Sequence, residues 1–323
     1  MIVVTGGAGF IGSAFIWKLN KEGIDDIIVV DELGESDKWR NLVKRQYADY
    51  LHKDDFLKMI LAEKLPFNVR ALIHMGACSA TTERDADYLM ENNYRYTCRL
   101  AAWAMKQNVR FIYASSAATY GNGALGFSDT DDQTRTLQPI NMYGYSKQLF
   151  DLWMLRRKAE HKIVGVKFFN VFGPQEYHKE DMTSVVYKAF HQIREQGKVR
   201  LFKSHRPDFG DGEQVRDFVY VKDCVNVLWW LLKNREVNGI FNLGTGRART
   251  WNDLVTAVFA TLDMKPEIEY IEMPPAVRDQ YQYFTEAKMD KLKQVGCPLP
   301  FGTLEATVRD YVTGYLQKAD PYL

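Results

Sequence analysis

Continuous apolar runs alternate with amphipathic segments along much of the chain. The apolar runs predict buried strands at 1–5, 27–31, 71–77, 109–116 and 163–173. Helical periodicity lies between them, at 12–23, at 87–107 and from 142 onwards. Strands that are apolar on both faces and alternate with helices are typical of a parallel sheet covered by helices on both sides. The pattern therefore predicts an α/β fold built on a doubly wound parallel sheet.

The composition of the sequence changes after Gly173. Residues 174–216 are charged and rich in turn residues, which predicts a loop-rich segment. Strand and helix patterns then return at 218–232, 239–246, 250–263, 266–271 and from 303. We predict a large sheet domain from 1–172 plus 217–246. A smaller α/β domain is predicted from 173–216 plus 247–323, so that the two domains are interleaved along the chain.

Composition and charge exclude several classes of protein. The 323 residues are 46% hydrophobic and carry a formal net charge of +1, so a basic footprint for nucleic acid is not expected. We find neither a long apolar span nor a secretory signal pattern, which predicts a cytoplasmic protein without a membrane partner. The four cysteines and six histidines show no metal-ligand spacing, so we expect reduced thiols and no metal.

A glycine-rich turn follows the first predicted strand and opens the first predicted helix. Gly7, Gly9 and Gly12 form the G-x-G-x-x-G pattern in TGGAGFIG. Glycines at these positions allow a tight turn, a close approach to a pyrophosphate and close helix–strand packing. The helix N-terminus then presents unpaired N–H groups to the phosphates. Asp31 is the last residue of the second predicted strand, at the distance from the glycines that is usual for the acid of this motif. It completes the fingerprint of a dinucleotide-binding site.

The choice between NAD and NADP stays open at this stage. Asp31 is expected to bind the ribose 2′-hydroxyl of NAD and to repel a 2′-phosphate. Lys38, Arg40 and Lys53 follow soon after it and are able to neutralise such a phosphate. The same three cations are equally compatible with a solvated surface.

A second constellation lies in YGYSK. Tyr143 and Lys147 are four residues apart and therefore share one face of a helix. A nearby ammonium, together with the positive nicotinamide, lowers the pKa of a tyrosine towards that of a general base. Ser116 ends the strand YASS, where its hydroxyl is able to bond the reacting oxygen.

Together these residues resemble those of the extended short-chain dehydrogenases/reductases, the group of nucleotide-sugar epimerases and dehydratases. The resemblance implies a Rossmann domain with Ser116, Tyr143 and Lys147 as its catalytic set, and a C-terminal domain that binds the sugar nucleotide. Dehydratases of the group carry an Asp-Glu pair where this chain has Ala117 and Ala118. Because the acid and base for water loss are absent, a dehydratase is disfavoured.

Longer stretches are similar to the ADP-glycero-manno-heptose 6-epimerase family. They are HMGACSATTE (74–83), YASSAATYG (113–121), FNVFGP (169–174), RDFVYV (216–221) and FNLGTGRA (241–248). This resemblance implies an isomerase that converts ADP-D-glycero-D-manno-heptose to its L-glycero epimer at C6″ for the lipopolysaccharide inner core. It also implies tightly held, recycled NADP, with NAD possible, and a homopentamer.

The resemblance also places site residues on this chain. The implied cofactor contacts, with the glycines above, are Phe10, Ile11, Asp31, Glu32, Lys38, Lys53, Met75, Gly76, Ala77, Cys78, Ser79, Asn92, Lys147, Val171 and Lys179. The implied substrate contacts are Asn170, Asp181, Lys188, Phe202, Arg216 and Tyr281, to which we add the neighbouring Lys203, Ser204 and His205. Met75, Asp181 and Lys188 differ from the residues common in the family.

The chemistry requires two acid/base groups. A secondary carbinol C–H is not acidic, so inversion proceeds through oxidation to a planar 6″-ketone, after which the hydride returns to the other face. The hydroxyl points to opposite sides in the two epimers, and one group does not easily reach both. Tyr143 is the first acid/base, and the resemblance places the second on Lys179.

Two other functions remain open from the sequence. An NAD-dependent UDP-hexose 4-epimerase shares Asp31, Tyr143 and Lys147. A non-catalytic NADP-binding protein is the alternative from another class, although such relatives usually lose the tyrosine or the lysine.

Overall fold

A seven-stranded, all-parallel sheet forms the centre of the molecule. In the computed structural model, which describes residues 1–278, 281–298 and 301–323, its strands lie in the order β11-β6-β5-β4-β1-β2-β3. Chain order runs outwards from β1 in both directions, which is the arrangement of a doubly wound fold. The predicted fold class is therefore confirmed.

The described strands and helices have the following bounds. The strands are β1 (Ile2–Thr5), β2 (Ile27–Asp31), β3 (Asp49–His52), β4 (Ala71–His74), β5 (Arg110–Ser116), β6 (Ile163–Phe168), β7 (Asn170–Phe172), β8 (Val199–Phe202), β9 (Val215–Arg216), β10 (Phe218–Tyr220), β11 (Gly239–Leu243), β12 (Arg249–Thr250) and β13 (Ile268–Ile271). The α-helices are α1 (Phe10–Lys21), α2 (Lys53–Leu61), α3 (Ala86–Leu89), α4 (Tyr96–Lys106), α5 (Asp131–Thr136), α6 (Met142–Arg156), α7 (Val185–Gln196), α8 (Val221–Lys233), α9 (Trp251–Thr261), α10 (Pro275–Arg278), α11 (Asp290–Gln294) and α12 (Leu304–Tyr311). A π-helical segment at Met90–Arg95 joins α3 to α4, and 3₁₀ segments include Asp37–Leu42 and Tyr177–Met182.

Both faces of the sheet are buried, as the continuous apolar strands predict. Helices α1 and α8 pack on one face, in a cluster that includes Val4, Phe15 and Leu228. Helices α2, α4 and α6 cover the other face, where Phe56 and Phe150 are buried. The alternation of side chains along each strand therefore supplies both cores.

The sequence analysis missed one edge of the sheet. Strand β3 and helix α2 were not predicted, because DYLH is polar and only half-buried at the sheet edge. An edge strand needs no apolar run, so periodicity does not reveal it.

Two further expectations were wrong. The segment 174–216 is not loop-rich throughout, since it contains α7 and β8. Helix α7 has a buried stripe that includes Val186, Phe190 and Ile193 beneath a charged outer face. The predicted strand 163–173 is also two strands: β6 belongs to the main sheet, whereas β7 pairs with β10.

The smaller part of the molecule is built from α7, α9 and α12 and from β8 paired in parallel with β13. Its buried side chains are continuous with those beneath α1 and α8. The predicted interleaved boundaries remain a prediction. The four cysteines are free thiols, as expected. In the described residues, no helix has both the length and the apolar character needed to cross a membrane.

Candidate active site

The glycine-rich turn forms a tight cradle at the carboxyl end of β1. Gly6 has a φ of +65°, and a Cβ there would lie 2.5 Å from Gly76 Cα on the neighbouring strand end. A Cβ on Gly12 would lie 2.1 Å from Gly6 O. Helix α1 begins after Gly9 without a side-chain cap, so its first N–H groups face the cradle. This geometry fits the pyrophosphate of a dinucleotide.

Gly7, a predicted cofactor contact, has a packing role instead. A Cβ at this position would meet Val29 Cγ1 and Val4 O, both at 2.9 Å, so Gly7 lets α1 pack closely on the sheet. Gly6 lines the cradle instead, and the sequence analysis did not select it.

Asp31 is held rigidly at the end of β2. It accepts hydrogen bonds from the Ala8 and Glu32 backbone N–H groups, at 2.8 and 2.7 Å. Lys38 Nζ lies 2.8 Å from its Oδ1. Lys53 Nζ likewise lies 2.5 Å from Glu32 Oε2, and this hydrogen bond lowers the pKa of Glu32. Two acids and two lysines therefore meet where the ribose of a dinucleotide would lie.

Beside this cluster is a cavity of about 180 Å³. Its walls bring together residues from β1, β2, the β4 end and the α3–α4 region. Lining residues that the sequence analysis selected are Asp31, Glu32, Lys38, Lys53, Gly76, Ala77, Cys78 and Asn92. Tyr88 and Tyr96 also line it and were missed, because nothing in their local sequence distinguishes them from core aromatics.

A second cavity, of about 440 Å³, extends from the cradle to the end of β5. The selected residues in its walls are Gly9, Phe10, Ile11, Gly12, Asp31, Lys38, Met75, Gly76, Ala77, Ser79, Ser116, Tyr143, Lys147, Val171 and Lys179. His178 and Ser36 line it as well. The fold thus brings the phosphate cradle, the Tyr-Lys pair and Lys179 to one space.

Tyr143 and Lys147 lie on successive turns of α6. Asn141 caps this helix by accepting from the Gly144 N–H at 2.8 Å. Lys147 Nζ donates to Ala114 O at 2.8 Å, and burial lowers the pKa of this lysine to about 8. The Tyr143 phenol shares a hydrogen bond with Ser116, which acts to lower its pKa, but burial outweighs this and raises the pKa. The protein's own groups therefore do not produce the lowered tyrosine pKa that the sequence analysis expected.

Lys179 lies in the 3₁₀ segment after β7. Its Nζ is 5.4 Å from the centre of the Phe10 ring, directly beyond the phosphate cradle. Burial lowers the pKa of this lysine, Glu176 opposes the shift, and Lys188 adds to it. A lysine in such surroundings is suited to act as a general acid or base.

A third cavity, of about 690 Å³, adjoins the second and shares Ser116, Tyr143 and Phe168 with it. Its walls include the predicted Asn170, Arg216 and Tyr281, as well as Thr81, Glu83, Arg84 and Gln282, which were not selected. The guanidinium of Arg216 lies between two aromatic rings, 5.1 Å from the centre of Tyr281 and 5.6 Å from that of Trp251. Burial lowers the pKa of Arg216. Its planar fork is suited to a diphosphate.

The remaining predicted substrate contacts are not among the described residues that line this cavity. Phe202 touches Tyr281 edge-to-face, with ring centres 6.4 Å apart. Lys188 Nζ donates to the backbone oxygen of the exposed Asp181 at 2.5 Å. Other protein groups bind the last three residues: Lys203 pairs with Glu272, Ser204 N–H donates to Asp211 and His205 N–H donates to Tyr283. Their role at the substrate remains a prediction.

The chain is similar to known proteins over its whole length. Residues 2–244 match the model of the NAD-dependent epimerase/dehydratase family. The chain is 62% identical to the ADP-L-glycero-D-manno-heptose-6-epimerase of Nitratidesulfovibrio vulgaris strain DP4 over the whole of both chains. The crystal structure of the Helicobacter pylori ADP-L-glycero-D-manno-heptose-6-epimerase is 28% identical, with a TM-score of 0.82 and coverage of 97% and 95%. The Thermotoga maritima UDP-glucose 4-epimerase with UDP-glucose is 27% identical, with a TM-score of 0.79 and coverage of 97% of each chain.

Proposed function

The chain belongs to the NAD-dependent epimerase/dehydratase family and, within it, to the ADP-L-glycero-D-manno-heptose-6-epimerases, and we propose that it inverts C6″ through a transient 6″-ketone. It is an isomerase, and ADP-D-glycero-D-manno-heptose and its L-glycero epimer are its substrate and product. The observation that carries the proposed mechanism is the meeting of Tyr143 and Lys179 in the walls of one cavity. That cavity begins at the glycine cradle and opens into the cavity that contains Arg216.

A nicotinamide cofactor supplies the hydride acceptor and donor for this chemistry. The cradle at Gly6, Gly9 and Gly12 would hold its pyrophosphate, and Lys147 would help to fix the nicotinamide half. We infer that the cofactor is NADP, because Lys38 and Lys53 offset the charges of Asp31 and Glu32 at the ribose. A 2′-phosphate at this position would bind two ammonium groups.

Tyr143 is the acid/base on one face of C6″. Ser116 orients its phenol through their hydrogen bond. The Lys147 ammonium stabilises the phenolate as it forms, and the nicotinamide adds the positive charge that the protein alone does not supply. In this way the Tyr143 phenolate accepts the hydroxyl proton of one epimer and becomes the neutral phenol.

Lys179 is the acid/base on the other face. Burial lowers its pKa, which favours the neutral amine over what an exposed lysine would show. The amine removes the proton of the opposite epimer and, as an ammonium, protonates the ketone oxygen when hydride returns. Arg216 holds the diphosphate while the ketone turns in the cavity, so the intermediate stays bound.

The most direct experiment offers the purified protein ADP-D-glycero-D-manno-heptose and, separately, UDP-galactose, and separates the products by chromatography. We expect the first to give a mixture of C6″ epimers and the second to stay unchanged, with Tyr143→Phe as the inactive control. Conversion of UDP-galactose instead would identify a 4-epimerase. Co-purified NADP without conversion of either sugar would identify a non-catalytic protein.

We also infer the biological setting from family membership. The product serves the heptose of the lipopolysaccharide inner core, and four free thiols fit a reducing cytoplasm. We expect a homopentamer, which light scattering would report as five times the chain mass of 37.4 kDa.

A further inference from the structure

The segment that carries Lys179 is unusual in its backbone. Gln175 has a φ of +85° and Glu180 a φ of +47°, so one non-glycine residue before Lys179 and one after it are in the left-handed region. Such conformations persist only where the surrounding structure enforces them. The contacts of residues 175–180 therefore decide where the Lys179 amine lies.

One side of this loop is held by a single buried amide. Asn41 is 2% exposed, and its Nδ2 lies 3.1 Å from Gln175 O and 3.2 Å from His178 Nδ1. Gln175, which is fully buried, returns a bond from its Nε2 to Asn41 O at 3.0 Å. Asn41 Nδ2 also donates to Ala8 O, in the glycine-rich turn, at 2.9 Å.

His178 completes this side of the arrangement. Burial, with Lys38 and Lys179 nearby, lowers the pKa of His178 to about 4. The ring is therefore neutral at neutral pH. In the tautomer with its proton on Nε2, the Nδ1 of His178 accepts from Asn41, whose two N–H groups are shared among His178, Gln175 O and Ala8 O. The residue next to Lys179 is thus tied to the same amide as the phosphate cradle.

The opposite side of the loop is held by residues 320–323. Tyr177 Oη donates to Pro321 O at 2.7 Å, and the Tyr177 ring packs edge-to-face on Tyr322 with centres 5.2 Å apart. The Leu323 N–H donates to Gln175 Oε1 at 3.3 Å. Lys44, three residues after Asn41, pairs with Asp320 at 2.7 Å, so both supports are joined.

We propose that Asn41 and Gln175 are positioning residues that fix the amine of Lys179 relative to the cofactor cradle, with Tyr177 and residues 320–323 as the second support. This inference rests on the proposed role of Lys179 as the second acid/base. Two hydrogen bonds of Asn41 support this inference. The Asn41 side chain bonds Ala8 O in the glycine-rich turn and Gln175 O in the loop that contains Lys179.

The test measures the oxidation of each of the two epimers separately. Each pure epimer is mixed with cofactor-loaded enzyme, and the absorbance of the reduced nicotinamide is followed in a stopped-flow instrument. Lys179→Met is expected to lose oxidation of one epimer only. Asn41→Asp keeps the shape but removes the donor, and Gln175→Glu removes the Nε2 donor. Both variants are expected to slow oxidation of the same epimer about 10²-fold, since a displaced catalytic group costs about that much in rate. Oxidation of the other epimer should slow less than about threefold.

A second readout does not depend on turnover. Competitive acylation of Lys179, read by peptide mass spectrometry across pH, reports the pKa of its amine. We expect this pKa to rise towards that of a free lysine in Asn41→Asp, in Gln175→Glu and, to a smaller extent, in Tyr177→Phe, because the loop then opens to water. Asn20→Asp is the matched control: its Nδ2 bonds Ile24 O and Gln46 O in the same way, away from the loop.

The outcomes are distinct. Equal slowing of both epimers by Asn41→Asp and Gln175→Glu, or an unchanged Lys179 titration in all three variants, would overturn the positioning role while Lys179→Met still shows its one-sided loss. If Lys179→Met oxidises both epimers normally, the proposed function of Lys179 is wrong, and the positioning role falls with it.

Discussion

Burial sets the charge state of the candidate catalytic lysines. Lys147 is buried and its Nζ donates to the backbone oxygen of Ala114, so its ammonium is poorly solvated and its pKa falls to about 8. The pKa of Lys179 is also lowered by burial. Both pKa shifts are properties of the fold, and neither shift follows from the spacing of residues in the sequence.

The first prediction concerns pH. Lys147 is charged below about pH 8 and neutral above it, so its support for the Tyr143 phenolate is lost as the pH rises through this value. We expect kcat to fall on the alkaline side with an apparent pKa near 8. In Lys147→Arg, which keeps its charge at these pH values, the residual activity should show no such fall. A wild-type profile that stays flat well above pH 8 would contradict the assignment.

The second prediction concerns the cofactor. Lys38→Ala removes a cation from the ribose site and leaves Asp31 to repel a 2′-phosphate. Loss of one charge-assisted contact should weaken NADP binding by roughly 10- to 100-fold, with a much smaller effect on NAD. Fluorescence titration of cofactor-stripped protein with both reduced cofactors measures this ratio. Lys18→Ala, whose lysine pairs with Glu22 on α1, is the control; equal weakening of both cofactors by Lys38→Ala would indicate structural damage.

The third prediction concerns the diphosphate. Arg216→Ala should raise KM roughly 30- to 150-fold, which corresponds to about 2–3 kcal/mol for one charge-assisted contact, without loss of bound cofactor. Arg216→Lys should recover only part of this, because it lacks the planar fork. The control is Arg249→Ala: Arg249 pairs with Arg216 across β9 and β12, but its side chain binds Asp253 and Glu305. A KM that is unchanged in Arg216→Ala would show that this side chain has only a structural role.

Residues in local motifs were predictable, and residues joined by the fold were not. Gly9, Tyr143 and Lys147 are recognisable because their chemistry depends on spacing within one turn and one helix. Asn41 and Gln175 are 134 residues apart in the chain, and only the folded molecule brings them together. An isolated asparagine in a charged segment carries no signal of this role.

A buried ion pair supports the elements beneath Ser116, the proposed catalytic serine. Lys167 on β6 lies 2.5 Å from Asp151 on α6, and both side chains are completely buried. Ser115 and Tyr113 on β5 donate to the same carboxylate, at 2.8 and 2.7 Å. Lys167 also donates to Thr119, which bonds Ser116 O. This network joins three elements to the turn that presents Ser116.

The fourth prediction concerns this network. Lys167→Met leaves the Asp151 carboxylate buried without its cation, which should lower the free energy of unfolding by about 3–5 kcal/mol. Adding Asp151→Asn should restore part of the loss. Urea unfolding measures both. Lys198→Met removes a lysine from an ion pair on the surface, with Glu269, and should change stability little. Equal effects of the two lysine substitutions would contradict the account.

Elements with a strong apolar period were predictable, whereas polar elements were not. Strands β1 and β2 are buried along their whole length, and the sequence located both. Strand β3 lies at the sheet edge and helix α7 has a charged outer face, so neither stood out from its surroundings. Tertiary packing, not local composition, decides these two elements.

At the scale of the whole molecule, the strand order explains where the site lies. β4 lies beside β1, and β5 lies beside β4, so the glycine cradle, the Met75–Ser79 loop and Ser116 all emerge at the carboxyl edge of the sheet. The segment after β7 and the β9 region then bring Lys179 and Arg216 to the same edge. The doubly wound fold class was predictable from alternating strands and helices, whereas the placement of Lys179 and Arg216 in the cavity walls depends on packing that no local pattern encodes.

Inversion through a ketone with return of the same hydride can be tested by an isotope measurement. ADP-D-glycero-D-manno-heptose carrying deuterium at C6″ is converted in ordinary water, and the product is analysed by mass spectrometry and NMR. We expect the L-glycero product to keep its deuterium at C6″, because the hydride never exchanges with solvent. Loss of the deuterium, with hydrogen from water in its place, would contradict the account and point to inversion by proton abstraction.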